Sequence, residues 1–402
     1  MLYCYIDASD IFDRKQVFFM RTDPSLHYLD NAATTLVDPA VADVIHQAML
    51  DHWANPSSLY GPGVESEDAL HKARAALAHT LGCKSREWYF TSCGSEGNNL
   101  ALLGGVRTKT FGKKIVCSGF EHPSVRRPLE DLASAGWQVV FVPPHADGSF
   151  AVDEMLSQID RSTVLAACMM VNNETGAVCD VARLAREAKK INSRMMVHVD
   201  GVQAWMRLPV RLADGGIDSF TVSGHKIHAP KGVGGLYLSD KLIQSFRPPC
   251  LGGEQERGIR PGTENLPYAL GLAAAAQKLA PTLGQRAAQA RALNQRLRQG
   301  LAAFPTVEIN SPDGAVPEIL NFSENKVRSE TMLAWLAQEK IYVSSASACG
   351  RGEPSHTLAA MGRPARAVDT AIRVSFCADN TEADVDAFLE RFEAGMKTLQ
   401  GI

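Results

Sequence analysis

The amino-acid sequence predicts an α/β protein, with a large domain on a mainly parallel sheet and a smaller C-terminal α+β domain. From about residue 28, short β-rich segments alternate with amphipathic segments, and the β-rich segments are apolar almost throughout. Strands that are apolar on both faces are typical of a parallel sheet covered by helices on both sides. After Thr263 an Ala-, Gln- and Arg-rich helical region and short strands follow. We therefore predict a large domain over residues 28–280, a small domain over 281–402, and an N-terminal extension of uncertain order over 1–27.

The elements of the large domain follow from local signals. Runs rich in β-branched and apolar residues predict seven strands, over residues 88–91, 115–117, 138–142, 164–171, 195–199, 219–222 and 235–238. A helix over residues 38–53 has Asp38 as its N-cap and Pro39 at its first position. A second helix over residues 64–81 is followed by Gly82, where a left-handed cap would end it.

The elements of the small domain are predicted in the same way. The helical region runs to residue 304 and is expected to break at Pro281 and Gly284. Strands are predicted over residues 319–322, 341–344 and 371–376. The last helix should begin near Thr381, where the sequence Thr-Glu-Ala-Asp resembles a capping box.

Composition excludes several classes of protein. The 402 residues carry 41 basic and 44 acidic side chains, a net charge of 41 − 44 = −3, which argues against bulk binding of nucleic acid. No apolar run reaches the roughly 18 residues that a membrane span needs, and the first 20 residues lack the pattern of a secretory signal. The nine cysteines are odd in number and form no Cys-x-x-Cys pair. We therefore predict a cytoplasmic protein with reduced thiols, no membrane partner, no direct nucleic-acid contact and no resident metal.

A lysine and a carboxylate stand at the ends of two predicted strands. Lys226 closes the segment Ser-Gly-His-Lys after the strand over 219–222, where partial desolvation would favour the neutral amine that forms a Schiff base. Asp200 ends the strand over 195–199, at the edge where open α/β sheets bind ligands, and Gln203 follows it. Such a carboxylate can pair with the pyridinium nitrogen of pyridoxal phosphate. Taken singly, Asp200 could equally cap a helix and Lys226 could be a solvated surface residue.

A phosphate group would need its own binding site, and residues 91–96 (TSCGSE) supply a candidate. There a strand ends, small residues turn, and a helix starts at about Gly94, so backbone N–H groups and the Ser95 hydroxyl would meet the anion. Glycine turns between strand and helix are frequent, so this signal alone is weak.

Seven segments in unbroken order carry a resemblance to a known family. They are residues 28–35 (YLDNAATT), 55–58 (NPSS), 121–122 (EH), 171–176 (VNNETG), 198–203 (HVDGVQ), 223–226 (SGHK) and 260–265 (RPGTEN). The series resembles that of the NifS-like cysteine desulfurases, which are class V aminotransferases of pyridoxal phosphate fold type I. The resemblance covers roughly residues 27–395 and implies that fold for this chain.

The resemblance implies a role for each matching residue. Lys226 would hold pyridoxal phosphate and later move the Cα proton of the substrate, Asp200 would keep the ring nitrogen protonated, and His122 would stack on the ring and shuttle protons. The remaining cofactor-binding residues implied are Gln203 at the ring hydroxyl, Asn173 beside cofactor and substrate, Gly94, Ser95, Ser223, Gly224 and His225 around the phosphate, and Thr263. In the family the residue matching Thr263 reaches the phosphate of the neighbouring subunit, which implies a homodimer. On pattern alone, His122 could merely cap a helix and Asn173 could be a turn residue.

The predicted small domain carries the residues that decide the reaction. Cys349 lies in a run of small residues, 344–352, next to Arg351, a cation that would favour its nucleophilic thiolate. The family match makes Cys349 the sulfur-accepting nucleophile on a long mobile loop, although most cysteines are packed hydrophobes. Arg373 interrupts an apolar strand and would bind the substrate α-carboxylate, or, on pattern alone, face water from an edge strand.

We therefore predict a cysteine desulfurase that converts L-cysteine to L-alanine and leaves a persulfide on Cys349. The sulfur would pass to an acceptor protein, either an iron–sulfur cluster scaffold or a tRNA thiolation enzyme, with transient contact between Cys349 and an iron–sulfur cluster. The alternatives are a selenocysteine lyase, a class V aminotransferase, and a catalytically inactive scaffold of the same fold. Three departures from the family pattern put local geometry in question: Cys93, Gly97 and residues 376–379 (FCAD).

Overall fold

A seven-stranded sheet lies at the centre of the larger part of the molecule. The computed structural model describes residue 23 and residues 25–107, 109–345 and 354–401. The strands of this sheet are β2 (Trp88–Thr91), β3 (Lys114–Ser118), β4 (Gln138–Val142), β5 (Thr163–Met169), β6 (Met196–Asp200), β7 (Ser219–Ser223) and β8 (Gly234–Leu238). Their order across the sheet is β2-β8-β7-β6-β5-β3-β4. All seven strands predicted from the sequence are confirmed, with ends that differ by no more than two residues.

The sheet is mainly parallel, as predicted. The pairs β4–β3, β3–β5, β5–β6 and β6–β7 are parallel, whereas β8 is antiparallel to both β7 and β2. Every residue of β2, β5, β6, β7 and β8 is buried, because helices cover both faces of the sheet. Six strands therefore run in one direction, and their carboxyl ends meet along one edge.

Eight helices accompany this sheet among the described residues. They are α1 (Pro39–Asp51), α2 (Gly61–Thr80), α3 (Gly94–Val106), α4 (Pro123–Ser134), α5 (Val152–Gln158), α6 (Val181–Ile191), α7 (Asp240–Ile243) and α8 (Leu266–Leu279). The predicted terminal signals are confirmed. The Asp38 carboxylate accepts the Ala40 N–H at 2.9 Å, and Gly82 follows α2 with a left-handed φ of 61°. The start of α2 at Gly61 is three residues earlier than predicted, because Pro62 fits the first turn of a helix.

A smaller antiparallel sheet and its helices form a second apolar core. The elements are α9 (Leu283–Leu301), β9 (Glu308–Ile309), β10 (Ile319–Ser323), α10 (Ser329–Ala337), β11 (Ile341–Tyr342), β12 (Ser344–Ser345), α11 (His356–Ala360), α12 (Ala365–Asp369), β13 (Ala371–Ser375) and α13 (Glu382–Thr398). The sheet has the order β12-β13-β10-β9. Near the other end of the chain, β1 (His27–Tyr28) pairs with β11, and Leu29 packs in this second core. The predicted boundary at residue 280 stays a prediction, but residues 27–29 pack with the smaller part.

Three local predictions for the smaller part can be compared with the structure. The predicted helix break at Gly284 is wrong, because only the turn Ala280–Thr282 around Pro281 interrupts the helices, and Gly284 lies in the first turn of α9. The single strand predicted over 341–344 is two short strands with different partners, since β11 pairs with β1 and β12 with β13. The capping box at Thr381 is confirmed, with the Thr381 N–H donating to Asp384 at 2.7 Å.

Part of the chain lies outside the described residues. It includes residues 1–22 and 24 of the N-terminal extension, and residues 346–353, which carry Cys349 and Arg351. Among the residues that are described, no helix combines the length and the apolar character that crossing a bilayer would require.

Candidate active site

A cavity of about 480 Å³ opens where the carboxyl ends of the parallel strands meet the smaller part of the molecule. Cavities of this volume are typical of small-molecule sites. The predicted site residues that line it are Gly94, Ser95, His122, Asn173, Asp200, Gln203, Ser223, His225, Lys226 and Arg373. Cys349 lies outside the described residues, and Gly224 and Thr263 do not line the cavity. The structure therefore brings most of the predicted site residues together around one cavity.

Lys226 ends a short 3-10 turn, Gly224–Lys226, that directly follows β7. Its Nζ donates hydrogen bonds of 2.7 Å to the carbonyl oxygens of Ala32 and Ala33. The side chain is half-buried and lines the cavity, so the alternative of a solvated surface lysine is wrong. Two backbone carbonyls therefore hold the amine at the floor of the site.

The Asp200 carboxylate is buried at the end of β6 and is held by two donors. Oδ1 accepts the Val202 N–H at 2.9 Å, and Oδ2 accepts from Asn98 Nδ2 at 2.8 Å. No helix follows Asp200, so the alternative of a helix cap is wrong. Because each oxygen has its own donor, the carboxylate has a fixed orientation in the cavity wall.

His122 both caps a helix and lines the cavity. Its Nδ1 accepts the Ser124 N–H at 3.1 Å at the start of α4 and lies 2.7 Å from Ser124 Oγ. Burial lowers the pKa of His122; the Asp200 carboxylate opposes this shift, and the positive charge of Lys226 adds to it. The helix-cap role is therefore confirmed, whereas the stacking and proton-shuttling role stays a prediction. The lowered pKa favours a neutral imidazole near pH 7.

The N-terminus of α3 and the end of β7 form a cradle suited to an anion. Gly94 is the first residue of α3, and a Cβ there would lie 2.7 Å from Val202 Cγ2, so only glycine fits without a shift. Ser223 Oγ is buried and has no hydrogen-bond partner among the described residues. Burial, together with Lys226 and Lys231, lowers the pKa of His225 to about 4. A neutral imidazole, an orphaned hydroxyl and a helix N-terminus fit a phosphate group.

The family departures at Cys93 and Gly97 have local explanations. Cys93 precedes α3 in extended backbone with a φ of −172°, which any residue can adopt, so glycine is not required there. A Cβ on Gly97 would lie 2.7 Å from Thr221 Cγ2, so glycine lets α3 approach β7 closely. Gly224 has a similar packing role, since a Cβ there would lie 2.9 Å from Val233 Cγ1.

Arg373 lies on β13, an interior strand of the smaller sheet, and is almost fully buried. The alternative of an edge-strand arginine facing water is therefore wrong. Its Nη2 pairs with Asp30 Oδ1 at 2.8 Å, and its Nη1 donates to the Asn173 carbonyl at 2.7 Å. Burial raises the pKa of Asp30, although the Arg373 guanidinium opposes this shift. The Nε–H of Arg373 is buried and has no partner among the described residues.

Two predicted residues have contacts that the predicted roles did not include. Gln203 Nε2 donates to the Ala32 carbonyl at 2.9 Å, and its Oε1 accepts from Arg207. Its bond to a cofactor hydroxyl therefore stays a prediction. Thr263 is exposed to solvent away from the cavity of its own chain, and its role in a neighbouring subunit stays a prediction as well.

Glu174 lines the cavity and was not among the predicted site residues. It is buried in the turn after β5 and accepts hydrogen bonds from the hydroxyls of Ser355 and Thr357, the latter at 2.8 Å. Burial raises the pKa of Glu174. Next to these residues, His356 Nε2 lies 2.9 Å from the Glu121 carbonyl oxygen. The larger part of the molecule thus holds the residues that follow the undescribed segment 346–353.

Asn98 and Ser124 were also missed. Both line the cavity, and Asn98 Nδ2 donates to Ser124 Oγ at 2.9 Å as well as to Asp200. A local signal existed for Asn98, because it lies four residues after Gly94 and therefore on the same face of α3. A local signal also existed for Ser124, because it lies two residues after His122 at the start of α4.

Together these groups offer an amine, a fixed carboxylate, a neutral imidazole, an anion cradle and a guanidinium around one cavity. The amine can form a Schiff base, the carboxylate can pair with a protonated ring nitrogen, and the cradle can hold a phosphate. The donor set therefore fits pyridoxal phosphate, and the guanidinium fits the carboxylate of an amino acid.

Comparison with known proteins agrees with this chemistry. The model of the family "Aminotransferase class-V" matches residues 27–388. A cysteine desulfurase of Nostoc sp. is 37% identical over 370 residues, which are 91% of this chain and 92% of that protein. The cysteine desulfurase NifS of Azotobacter vinelandii is 35% identical over 380 residues, 93% of this chain and 94% of its own. A solved NifS-like protein superposes with a TM-score of 0.87 at 34% identity, covering 92% of this chain and 99% of its own.

Proposed function

Because the chain belongs to the class-V aminotransferase family and acts as a cysteine desulfurase, we propose that it uses pyridoxal phosphate to move sulfur from L-cysteine to Cys349. One observation carries this proposal. The Lys226 amine, the Asp200 carboxylate, the His122 ring and the Arg373 guanidinium all line the same cavity. This combination, together with an anion cradle at a helix N-terminus, is typical of enzymes that use pyridoxal phosphate to act on amino acids.

The cofactor would be held by the groups that the cavity brings together. Lys226 would bind it covalently, Asp200 would bind the ring nitrogen, and His122 would lie on the ring face. The phosphate and the remaining ring substituents would contact Gly94, Ser95, Ser223, His225, Asn173 and Gln203. When bound, pyridoxal phosphate supplies an electron sink that weakens the bonds to the α-carbon of an amino acid. Support for this arrangement comes from the buried Ser223 hydroxyl, for which the described part of the chain offers no other partner.

Arg373 would orient the substrate. Asp30 and the Asn173 carbonyl already hold two edges of its guanidinium, so the planar group cannot rotate. Its guanidinium would donate to the α-carboxylate of L-cysteine and thereby place the Cα–H bond near Lys226. Lys226, released as a free amine, would then take the Cα proton, and the neutral His122 would move protons on the other side of the site.

Cys349 would accept the sulfur. Its thiolate attacks the substrate sulfur, the carbon–sulfur bond breaks, and a persulfide forms on Cys349. The balance is L-cysteine plus enzyme thiol giving L-alanine plus enzyme persulfide, with no external oxidant. Both ends of segment 346–353 support this role: Ser344 pairs with Arg373 in the sheet, and Pro354 lines the cavity. The persulfide would pass to an acceptor protein, either an iron–sulfur scaffold, with transient contact between Cys349 and a cluster, or a tRNA thiolation enzyme.

We also propose a homodimer, in which Thr263 reaches the phosphate of the neighbouring subunit. Support comes from large apolar side chains exposed between residues 49 and 60, among them Trp53 at 68% and Leu59 at 98%. Apolar clusters of this kind on a protein surface usually contact another protein. The cytoplasmic location stays a prediction.

The decisive experiment compares Cys349→Ser with Cys250→Ser, which removes an exposed thiol outside the cavity. Cys349→Ser should retain the yellow cofactor but lose at least 100-fold in L-alanine formation from L-cysteine, since the serine hydroxyl is a far weaker nucleophile (~10²-fold or more). Cys250→Ser should match the unaltered protein. Full alanine formation by Cys349→Ser would contradict the proposal. Faster turnover of selenocysteine than of cysteine would favour a selenocysteine lyase. Formation of a new amino acid from an added keto acid would favour an aminotransferase. A colourless protein would favour an inactive scaffold.

A further inference from the structure

We infer that Asn98 is a positioning residue that fixes both the Asp200 carboxylate and the protonated nitrogen of His122, and that His198 sets the direction of the Asn98 amide. The inference deepens the proposed function, because it rests on Asp200 and His122 both facing the same cofactor. It concerns residues to which the family resemblance gave no role.

Asn98 lies at the centre of a buried hydrogen-bond network. Its side chain is fully buried on α3, one turn after Gly94. The two hydrogens of its amide go to two different residues: Asp200 Oδ2 at 2.8 Å and Ser124 Oγ at 2.9 Å. Its Oδ1 lies 3.1 Å from His198 Nε2. One side chain thus joins β6, α4 and the helix of the anion cradle.

The direction of each hydrogen bond in this network can be assigned. An ionised carboxylate only accepts, so the amide nitrogen of Asn98 must face Asp200, and its oxygen must face His198. His198 Nε2 therefore carries a hydrogen. Burial lowers the pKa of His198 to about 3, so its ring is neutral and Nδ1 is an acceptor. Ser219 Oγ, 2.8 Å from Nδ1, supplies the matching donor. His198 thereby prevents the Asn98 amide from flipping.

The network also reaches His122, through the Ser124 hydroxyl. Ser124 Oγ accepts from Asn98 and so keeps its own hydrogen for His122 Nδ1, 2.7 Å away. The same Nδ1 also accepts the Ser124 backbone N–H at 3.1 Å. With two donors on Nδ1, the proton of the neutral ring must be on Nε2. The tautomer of the imidazole is therefore set by two donors of Ser124, its backbone N–H and its hydroxyl, and Asn98 contributes by orienting the hydroxyl.

The network predicts different effects for loss of the Asn98 amide and for loss of the Ser124 hydroxyl. Loss of the Asn98 amide removes a charge-assisted hydrogen bond from Asp200 and also frees the Ser124 hydroxyl to rotate. Loss of the Ser124 hydroxyl alone leaves Asp200 with both of its donors. A merely structural role for Asn98 would not change the tautomer of a histidine on another helix.

The test measures two quantities in Asn98→Leu and Ser124→Ala. The first is the tautomer of His122, from ¹⁵N NMR of histidine-labelled apoprotein, with the signal assigned by His122→Gln. The second is the dissociation constant for pyridoxal phosphate. Asn294→Leu is the matched control, because Asn294 is another buried helical amide, on α9, whose Nδ2 donates to the Pro317 carbonyl.

The unaltered protein and the control should show one His122 tautomer, with the proton on Nε2. Asn98→Leu should raise the dissociation constant at least tenfold, about the size of one lost charge-assisted hydrogen bond, and should populate a second tautomer. Ser124→Ala keeps the backbone N–H at Nδ1 and loses only the hydroxyl donor, so it should populate the second tautomer as a minor form. Its dissociation constant should stay within about threefold of the unaltered protein, since it spares Asp200.

Unchanged affinity and an unchanged tautomer in Asn98→Leu would overturn the inference. Should that variant fail to fold, an unchanged tautomer in Ser124→Ala would overturn it, because this change removes a single half-buried oxygen. If the unaltered protein bound no pyridoxal phosphate, the proposed function would fail, whereas the tautomer data, collected on apoprotein, would still decide the role of Asn98.

Discussion

Replacing Glu174 by alanine is expected to slow sulfur transfer while leaving cofactor binding intact. Glu174 accepts hydrogen bonds from Ser355 and Thr357, the residues that follow the segment carrying Cys349. Ser355 also caps α11 by accepting the Leu358 N–H at 3.1 Å. Glu174→Ala would therefore remove two bonds that hold the end of this segment against the larger part of the molecule, and it would leave the buried Thr357 hydroxyl without a partner.

The expected size of the effect follows from these two contacts. A side-chain hydrogen bond contributes about 1 kcal/mol net, so the docked position of residues 355–357 would lose about 2 kcal/mol. Since about 1.4 kcal/mol corresponds to a factor of ten, kcat for L-cysteine should fall by as much as about thirtyfold. Glu174→Gln keeps one acceptor oxygen and should lose about one hydrogen bond, or roughly fivefold in kcat. KM for L-cysteine should change less, because Arg373 is untouched.

The assay is the steady-state rate of L-alanine formation, combined with urea unfolding and a cofactor titration. Glu67→Ala, on the exposed face of α2, is the control and should match the unaltered protein. Wild-type kcat in Glu174→Ala would refute the reasoning. So would a loss of activity that matches the fraction of protein unfolded or without cofactor, because the two hydrogen bonds would then have no effect on the reacting cysteine.

Two further predictions concern the anion cradle and pH. Gly94→Ala should raise the dissociation constant for pyridoxal phosphate at least tenfold, because the new Cβ would lie 2.7 Å from Val202 Cγ2 and displace the start of α3. Gly284→Ala, in open space on α9, is the control: it should leave the affinity for pyridoxal phosphate unchanged and add about 0.5–1 kcal/mol to the free energy of unfolding. Equal affinities in the two variants would contradict the proposed role of the cradle. The second prediction concerns the pH dependence of stability. Burial holds the pKa of His198 at about 3 in the folded protein, against an ordinary 6.5, so only the unfolded chain protonates this imidazole as pH falls below 6.5. The free energy of unfolding should therefore fall toward acid, by about 2 kcal/mol at about pH 5. Urea unfolding of His198→Gln should not show this fall. The same pH dependence in both proteins would exclude His198 as its source.

The strands and much of the site could be predicted because their signals are local. Asp200 and Ser223 each end an apolar run, and the ends of parallel strands meet at one edge whatever the rest of the chain does. Lys226 follows Ser223 by three residues, so the prediction of the strand that ends at Ser223 also predicted the position of Lys226. The positions of Gly82 and Thr381 were also predictable, since caps depend on the backbone of a few neighbouring residues.

Contacts between distant segments could not be predicted, because the sequence around each partner does not indicate which residue it will contact. Glu174 and Ser355 are 181 positions apart, and nothing near Glu174 in sequence indicates a buried hydroxyl partner. The break predicted at Gly284 failed for a related reason, because a helix tolerates a solvent-facing glycine when the rest of the helix packs well.

The pairing of Asp30 with Arg373 has a consequence for synthesis of the protein. The two residues are 343 positions apart, so a ribosome adding about 5–20 residues per second needs roughly 17–70 s between one and the other. Once residue 238 is added, the nascent chain can complete the lysine-bearing sheet, but it lacks Arg373 until residue 373 is added. Premature termination between residues 239 and 372 would therefore release polypeptides that carry Lys226 and lack the arginine proposed to orient the substrate.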